Sequence, residues 1–188
     1  KITSDVLANA RLPYSSTDLA GAVELATDAE ILARTDTSRV ITPSRIDLIS
    51  PKVSLSKTAD QSFSSGWTQI TFQTVDIQTI SGMASITNNQ LICKSAGWYV
   101  VGGNVGQNVS YGSVHTRSVC IVKGTDVTVT ANRIVAQTSR HDNDWYGSAS
   151  SMVYLNVNDV VTLFLYSGGA SNLGSIGYKM TNLWMHKV

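Results

Sequence analysis

In Leu91-Ile-Cys-Lys-Ser-Ala-Gly-Trp-Tyr-Val-Val-Gly-Gly-Asn-Val105, two apolar runs of strand length, Leu91–Cys93 and Trp98–Val101, flank a Ser95-Ala96-Gly97 corner. Runs of that length on either side of small turn residues predict a β-hairpin. Strand alternation then puts Trp98 and Val100 on one face, and Tyr99, Val101 and Val105 on the other. Both faces are apolar, whereas a sheet on the surface of a monomer shows one wet face. The strand therefore asks to be covered twice, once by a partner sheet and once by a neighbouring copy of the same chain.

The rest of the chain agrees with a β architecture. From Pro51 onward, short apolar runs read as strands at Lys52–Ser56, Thr68–Thr74, Ala84–Thr87, Gln90–Lys94, Trp98–Gln107, Arg117–Lys123, Val127–Gln137, Trp145–Asn156, Val160–Tyr166 and Gly177–Val188. Turn residues separate them at Asn88-Asn89, Gly97, Gly124-Thr125, Asn158-Asp159 and Gly168-Gly169. Many short strands with no helical period between them mean a sandwich or a barrel. Residues 1–50 differ: Thr27-Asp-Ala-Glu30 is a capping box opening a short helix that Thr35-Asp36-Thr37 ends, and Thr42-Pro43 starts a second. Two such helices cannot bury a core alone, so 1–50 reads as a neck that needs partner chains or an upstream shaft, and 51–188 as the head.

Bulk composition narrows the function. Charged residues make up 14% of the 188 and hydrophobic ones 43%, against about 25% charged in ordinary soluble domains. A surface so poor in charge suits self-association. A net charge of +1 without Lys/Arg clusters argues against electrostatic nucleic-acid binding, and no apolar run is long enough to span a bilayer. The chain starts at Lys1 rather than Met, as expected of a piece of a longer protein. Cys93 and Cys120 sit inside apolar strands and read as buried free thiols; their spacing alone does not pair them, and neither has zinc-ligand company.

Two resemblances give these patterns a context. Asp18-Leu-Ala-Gly-Ala-Val-Glu-Leu-Ala-Thr-Asp-Ala-Glu30, then Thr35-Asp36, Arg39-Val40 and Thr42-Pro43, resembles a segment recurring in tail-fibre proteins of tailed bacteriophages, with Arg34 where they more often carry Gly. There it lies in the distal fibre, shortly before the tip. Trp67-Thr-Gln-Ile-Thr-Phe72, Ala96-Gly-Trp-Tyr99, Lys123-Gly124 and Leu155-Asn-Val-Asn-Asp-Val-Val161 resemble the jelly roll of complement globular heads and tumour necrosis factors. Asn158 replaces the Gly of that family's Leu-x-x-Gly-Asp-x-Val, a change that a left-handed turn tolerates. The resemblances imply an all-β jelly-roll head on a helical neck, a homotrimer, and a place at the distal end of a virion tail fibre made in the bacterial cytoplasm.

Alternation names the faces that would trimerise. In the penultimate strand Val161, Leu163 and Leu165 share one face, and Phe164 and Tyr166 the other; Val153 and Leu155 oppose Met152 and Tyr154 in what reads as its neighbour. Trp98, Met152, Tyr154, Phe164 and Tyr166 are the candidate interface, an apolar patch unusual for a monomer.

Chemistry is poorly represented, and the chain reads as no enzyme. His115 and His141 fall in loops and His186 in the last strand, with no Gly-x-Ser-x-Gly elbow. Asp142 and Asp144 lie two apart in one loop and read as a turn rather than as a glycosidase pair or a calcium loop. No metal and no cofactor is expected. Binding is better supported. In a jelly roll, the connections at 108–116, 138–144 and 167–176 fall together at the free tip, opposite the end joined to the neck. They carry Tyr111, His115, Arg140, His141, Asp142, Asp144, Trp145, Tyr146, Ser171 and Asn172. Aromatic faces beside directional polar groups suit sugar recognition. The expected partners are two further copies of the chain, an upstream shaft, and a host-surface glycan such as lipopolysaccharide or capsule, or an outer-membrane protein. The alternatives are a head that only trimerises the fibre, and a polysaccharide-cleaving tailspike domain.

Overall fold

A computed structural model of the chain describes residues 25–33, 38–63, 65–108, 115–141, 146–168 and 174–188; at 44, 47, 107–108, 115–116, 135–141, 146 and 174–180 it describes the backbone alone. Contacts divide the chain into two compact units, Lys1–Ile49 and Ser50–Val188.

In the first unit the capping box forms and starts α1 (Asp28–Ala33). The Thr27 N–H and hydroxyl donate to Glu30 Oε2 at 2.9 and 2.7 Å, and the Glu30 N–H donates to Thr27 Oγ1 at 3.4 Å. Pro43–Leu48 follows as a 3₁₀ helix with Pro at its first turn, and the Thr42 hydroxyl makes no cap bond. Ion pairs from Arg39 to Glu30 and from Arg45 to Asp28 fasten the segments. Ala26 and Ile31 are buried, yet Leu25, Val40, Ile41, Ile46 and Ile49 stay exposed. The proposed helix stop at Thr35-Asp36-Thr37 lies outside the described residues.

The second unit is two antiparallel sheets packed face to face. The strands are β1 (Lys52–Ser56), β2 (Gln61–Phe63), β3 (Gly66–Gln69), β4 (Thr74–Gln78), β5 (Ala84–Ser85), β6 (Gln90–Ile92), β7 (Gly97–Asn108), β8 (His115–Lys123), β9 (Arg133–His141), β10 (Tyr146–Leu155), β11 (Val160–Ser167) and β12 (Gly174–Lys187). The first sheet runs β10-β7-β12-β1-β4 with β2 on β12; the second runs β5-β6-β11-β8-β9 with β3 on β11. Their inner faces supply one core: Leu55, Tyr99, Val101, Leu155 and Leu183 from the first, Leu91, Ile121, Val161, Leu163 and Leu165 from the second. Cys93 and Cys120 are buried free thiols.

The Ser95-Ala96-Gly97 corner does not make a hairpin. It carries the chain from the second sheet, where β6 lies between β5 and β11, to the first, where β7 lies between β10 and β12. The bonds at the corner fix that path. The buried Ser95 carbonyl accepts from the Tyr99 hydroxyl (2.7 Å) and the Cys93 thiol (3.2 Å), and Ser95 Oγ accepts from Lys187 Nζ (2.7 Å). Gly97 has φ 152°, and a Cβ there would lie 2.5 Å from Lys187 Cε. A second crossing, β10 to β11, is tied to the first: the Cys93 N–H donates to the Asp159 carbonyl and the Asn158 N–H to the Cys93 carbonyl, both at 2.8 Å. Asn158 takes φ 70°, the left-handed turn expected of it.

Two further expectations change. The strand expected at Thr68–Thr74 is two strands in different sheets, joined by a crossing in which Ile70 and Phe72 are buried. The strand expected from Val127 starts at Arg133. Asp126 turns the chain first, accepting from the Thr128 N–H and hydroxyl at 2.8 and 2.6 Å, a local bond that competes with sheet pairing.

One buried cation gives the head a pH signature. Lys57 is 3% exposed and donates to Thr71 O (3.0 Å), Thr71 Oγ1 (2.9 Å) and Gln61 Oε1 (3.2 Å). Burial pushes its pKa down from 10.5 to about 8, against a smaller opposing pull from Asp60. Between those values the unfolded chain holds a proton that the folded chain lacks, so this group's contribution to stability rises with pH across about 8 to 10.5. The full swing is on the order of 3 kcal/mol. Chemical denaturation of the wild type and Lys57→Met should therefore show the variant's relative stability falling as pH climbs through that window. A pH-independent difference would mean that Lys57 stays protonated.

Candidate functional site

The outer face of the first sheet carries exposed aromatic and apolar side chains. On β7, β10 and β12 the inward positions are filled, which leaves Trp98, Val100, Met152, Tyr154, Trp184 and His186 facing out. Trp98 is 52% exposed, Met152 59% and Tyr154 46%. Trp98 and Tyr154, register partners on neighbouring strands, meet edge to face at 5.7 Å and 81°. Trp184 stacks on His186 at 5.9 Å and 14°. Its indole lies flat over Gly102, where a Cβ would come within 2.2 Å of Trp184 Cζ2. Beside it opens a cleft of about 400 Å³ lined by Ser54, Asp76, Ile77, Asn182, Trp184 and His186. Asn182 Oδ1 is buried there without a hydrogen-bond partner among the described residues, a cost that a surface normally removes with water or a neighbour. Strand β10, at the sheet edge, carries no charged residue from Tyr146 to Leu155, and an edge without charge or proline invites a covering partner.

The backbone register defines the two ends of the head. The chain enters where Lys52 pairs with His186. At the other end Ser175 pairs with Asn108, Tyr146 with Gly106, His115 with His141 and Ser167 with Arg117. The strand ends bounding 109–114, 142–145 and 169–173 thus lie together, away from the point where the chain enters. His115, Arg140, His141 and Tyr146 are strand-end positions rather than loop residues, Arg140 paired with Thr116. Their side chains, and Tyr111, Asp142, Asp144, Trp145, Ser171 and Asn172 altogether, lie outside the described residues.

No family model matches the sequence, and no curated protein matches it. Among solved structures, a crystal structure of murine APRIL at pH 5.0 superposes with a TM-score of 0.52 at 12% identity, over 74% of this chain and 99% of that one. Two others of murine APRIL, at pH 8.5 and pH 8.0, give 0.48 and 0.49 at 13% and 12% identity over the same shares. The head shares the jelly-roll fold of the first of these structures.

Within that jelly roll the expected interface residues separate. Trp98, Met152 and Tyr154 come together on the first sheet, but Phe164 and Tyr166 lie on the second, because β11 is not a neighbour of β10. Phe164, 7% exposed, is buried with Cys120, Val122 and Val127. Tyr166 packs on Trp67 at 5.1 Å, and Arg133 sits over that indole at 5.1 Å. Val127, where a strand was expected to begin, is buried against Phe164 and covers it from within the chain. Trp184 joins the outward set half-buried, and its outward position was legible in the alternation Asn182, Trp184, His186 against the buried Leu183 and Met185.

Proposed function

We propose that this chain is the distal part of a homotrimeric bacteriophage tail fibre, whose head binds a glycan of the host bacterial surface at its free end. The observation that carries the reading is the uncovered aromatic face of the first sheet. Burying Trp98, Met152, Tyr154 and Trp184 against two further copies would stabilise a trimer by about 1.5–3 kcal/mol per fully buried side chain, and the exposed isoleucines and valine of the first unit gain the same kind of cover. The tail-fibre-like segment at Asp18–Glu30 supplies the biological context. In such a trimer the free ends of the heads point away from the incoming chains, where a receptor would be met. A shallow site there needs only about millimolar affinity, since three sites per fibre raise avidity by about 10²–10⁴.

The test uses fluorescently labelled chain and a panel of bacterial strains, intact and stripped of surface polysaccharide. Adsorption should be strain-specific, lost on stripping, and reduced at least tenfold by His141→Ala or Trp145→Ala with the trimer intact. Adsorption unchanged by these substitutions would leave the head a trimerisation device. Shortening of purified polysaccharide by the chain would show a cleaving enzyme.

A further inference from the structure

A histidine stands in the apolar row of the first sheet's outer face. Backbone register sets Met152 of β10, Val100 of β7, His186 of β12 and Lys52 of β1 side by side across four strands. Directly opposed residues on one face have Cβ atoms about 5 Å apart, so His186 lies beside Val100 and two strands from Met152. Along its own strand it stacks on Trp184 at 5.9 Å and 14°. Trp98, the register partner of Tyr154, is two residues from Val100 on β7. An assembly that covers Trp98, Met152 and Trp184 therefore covers His186 with them, whereas in the single chain the ring is half-buried. The described charges that face it come from two elements. Lys52 of β1 is its direct partner, and Asp76 of β4 shares the cleft with it and accepts from Ser56 Oγ at 2.8 Å. On β12 itself Lys187 turns to the opposite side, where it donates to Ser95. Strand β7 brings Trp98 and Val100 to this face, and β10 brings Met152 and the phenol of Tyr154.

We infer that His186 makes closure of the trimer acid-sensitive: its neutral ring packs in the seam between copies, and its protonated ring opens that seam. The inference rests on the trimer reading above and names what regulates that interface. Histidine is the side chain that ordinarily changes charge between about pH 5 and pH 8. A neutral imidazole is a fitting neighbour for Val100 and Trp184. An imidazolium in the covered seam is a charge taken from water beside the Lys52 ammonium, and both effects favour the neutral form. Asp76 offsets Lys52, but it does not replace the lost water. The single chain, whose ring still meets solvent, therefore takes up the proton more readily than the assembly does. The sign follows: the trimer is tightest above the range in which histidine titrates, and it loosens as pH falls through that range. Each imidazole raises the dissociation constant by up to about tenfold per unit of pH, so the three together raise it by up to about a thousandfold.

The experiment is sedimentation equilibrium of the whole chain at about pH 7.5 and about pH 5.5, on either side of the ordinary histidine range, for wild type, His186→Gln and His186→Arg. The wild type should be trimeric at the higher pH and shift toward folded monomer at the lower one, with its circular dichroism unchanged. His186→Gln keeps a neutral polar side chain and should hold the trimer equally well at both. His186→Arg carries the charge at both and should be the weaker trimer even at the higher pH. Should His186→Arg fail to fold, the comparison of wild type with His186→Gln still decides. A wild-type trimer equally tight at both pH values overturns the switch and leaves the trimer standing. Equal loosening of wild type and His186→Gln in acid also overturns it, by assigning the effect to another group. Loss of the wild-type circular dichroism signal in acid overturns it as well, since the chain would then be unfolding rather than separating. A wild type that is monomeric at the higher pH removes the trimer and the switch together.

Discussion

A chain carrying Trp98→Glu and Met152→Glu should sediment as a folded monomer at micromolar concentration, where the wild type should sediment as a trimer. Both side chains are more than half exposed in the single chain, so the substitutions cost the isolated head little. In an assembly that covers them, each would bury an unpaired carboxylate at a seam repeated three times, a loss of several kcal/mol per site. Far-ultraviolet circular dichroism should stay at the wild-type shape. Phe164→Glu is the contrasting control. Phe164 is buried inside the chain against Cys120, Val122 and Val127, so a carboxylate there should lower the melting temperature sharply rather than simply dissociate the assembly. A wild-type head that runs as a stable monomer would refute the trimer. Folded, trimeric Trp98→Glu/Met152→Glu would move the interface elsewhere.

Leu163→Ala should destabilise the head by about 2–5 kcal/mol, for a reason specific to its partner. Leu163 is fully buried at the middle of β11 and faces Gly103 of the opposite sheet. A Cβ on Gly103 would lie 2.7 Å from Leu163 Cδ1 and 3.3 Å from the Asn182 carbonyl. Leucine therefore fills the volume that glycine leaves, and the two sheets are fitted at this point by one large and one absent side chain. Gly103→Ala alone should cost about 1–3 kcal/mol by overpacking. The double variant should cost clearly less than the sum, because the new methyl enters the space the leucine vacated. Urea denaturation of the four proteins closes the cycle. Additive losses would show that the pair does not share one volume.

Much of this was legible in the chain itself. Period-two alternation assigned the buried sides of β7 and β11 residue by residue, since a strand offers each side chain only two directions. The capping box at Thr27–Glu30 and the left-handed turn at Asn158 are set by bonds within four residues, so sequence alone determines them. The turn at Asp126 is equally local, and its Asx geometry was the missed sign that no strand begins at Val127.

Sheet membership was beyond local pattern. Leu91–Cys93 and Trp98–Val101 look like the arms of a hairpin, yet they lie in different sheets, and Thr68–Thr74 looks like one strand but serves two. A strand's alternation says which side is apolar and is silent about which strand lies beside it. That choice is made by contacts far along the chain: Lys187 on Ser95, the Asn158–Asp159 turn on Cys93, and β12 lying between β7 and β1. The same limit explains Phe164 and Trp98, two outward aromatics with one sequence signature. Phe164 is covered by Val127 of its own chain and Trp98 stays half exposed, because only the folded path of the chain determines which outward aromatic meets a cover.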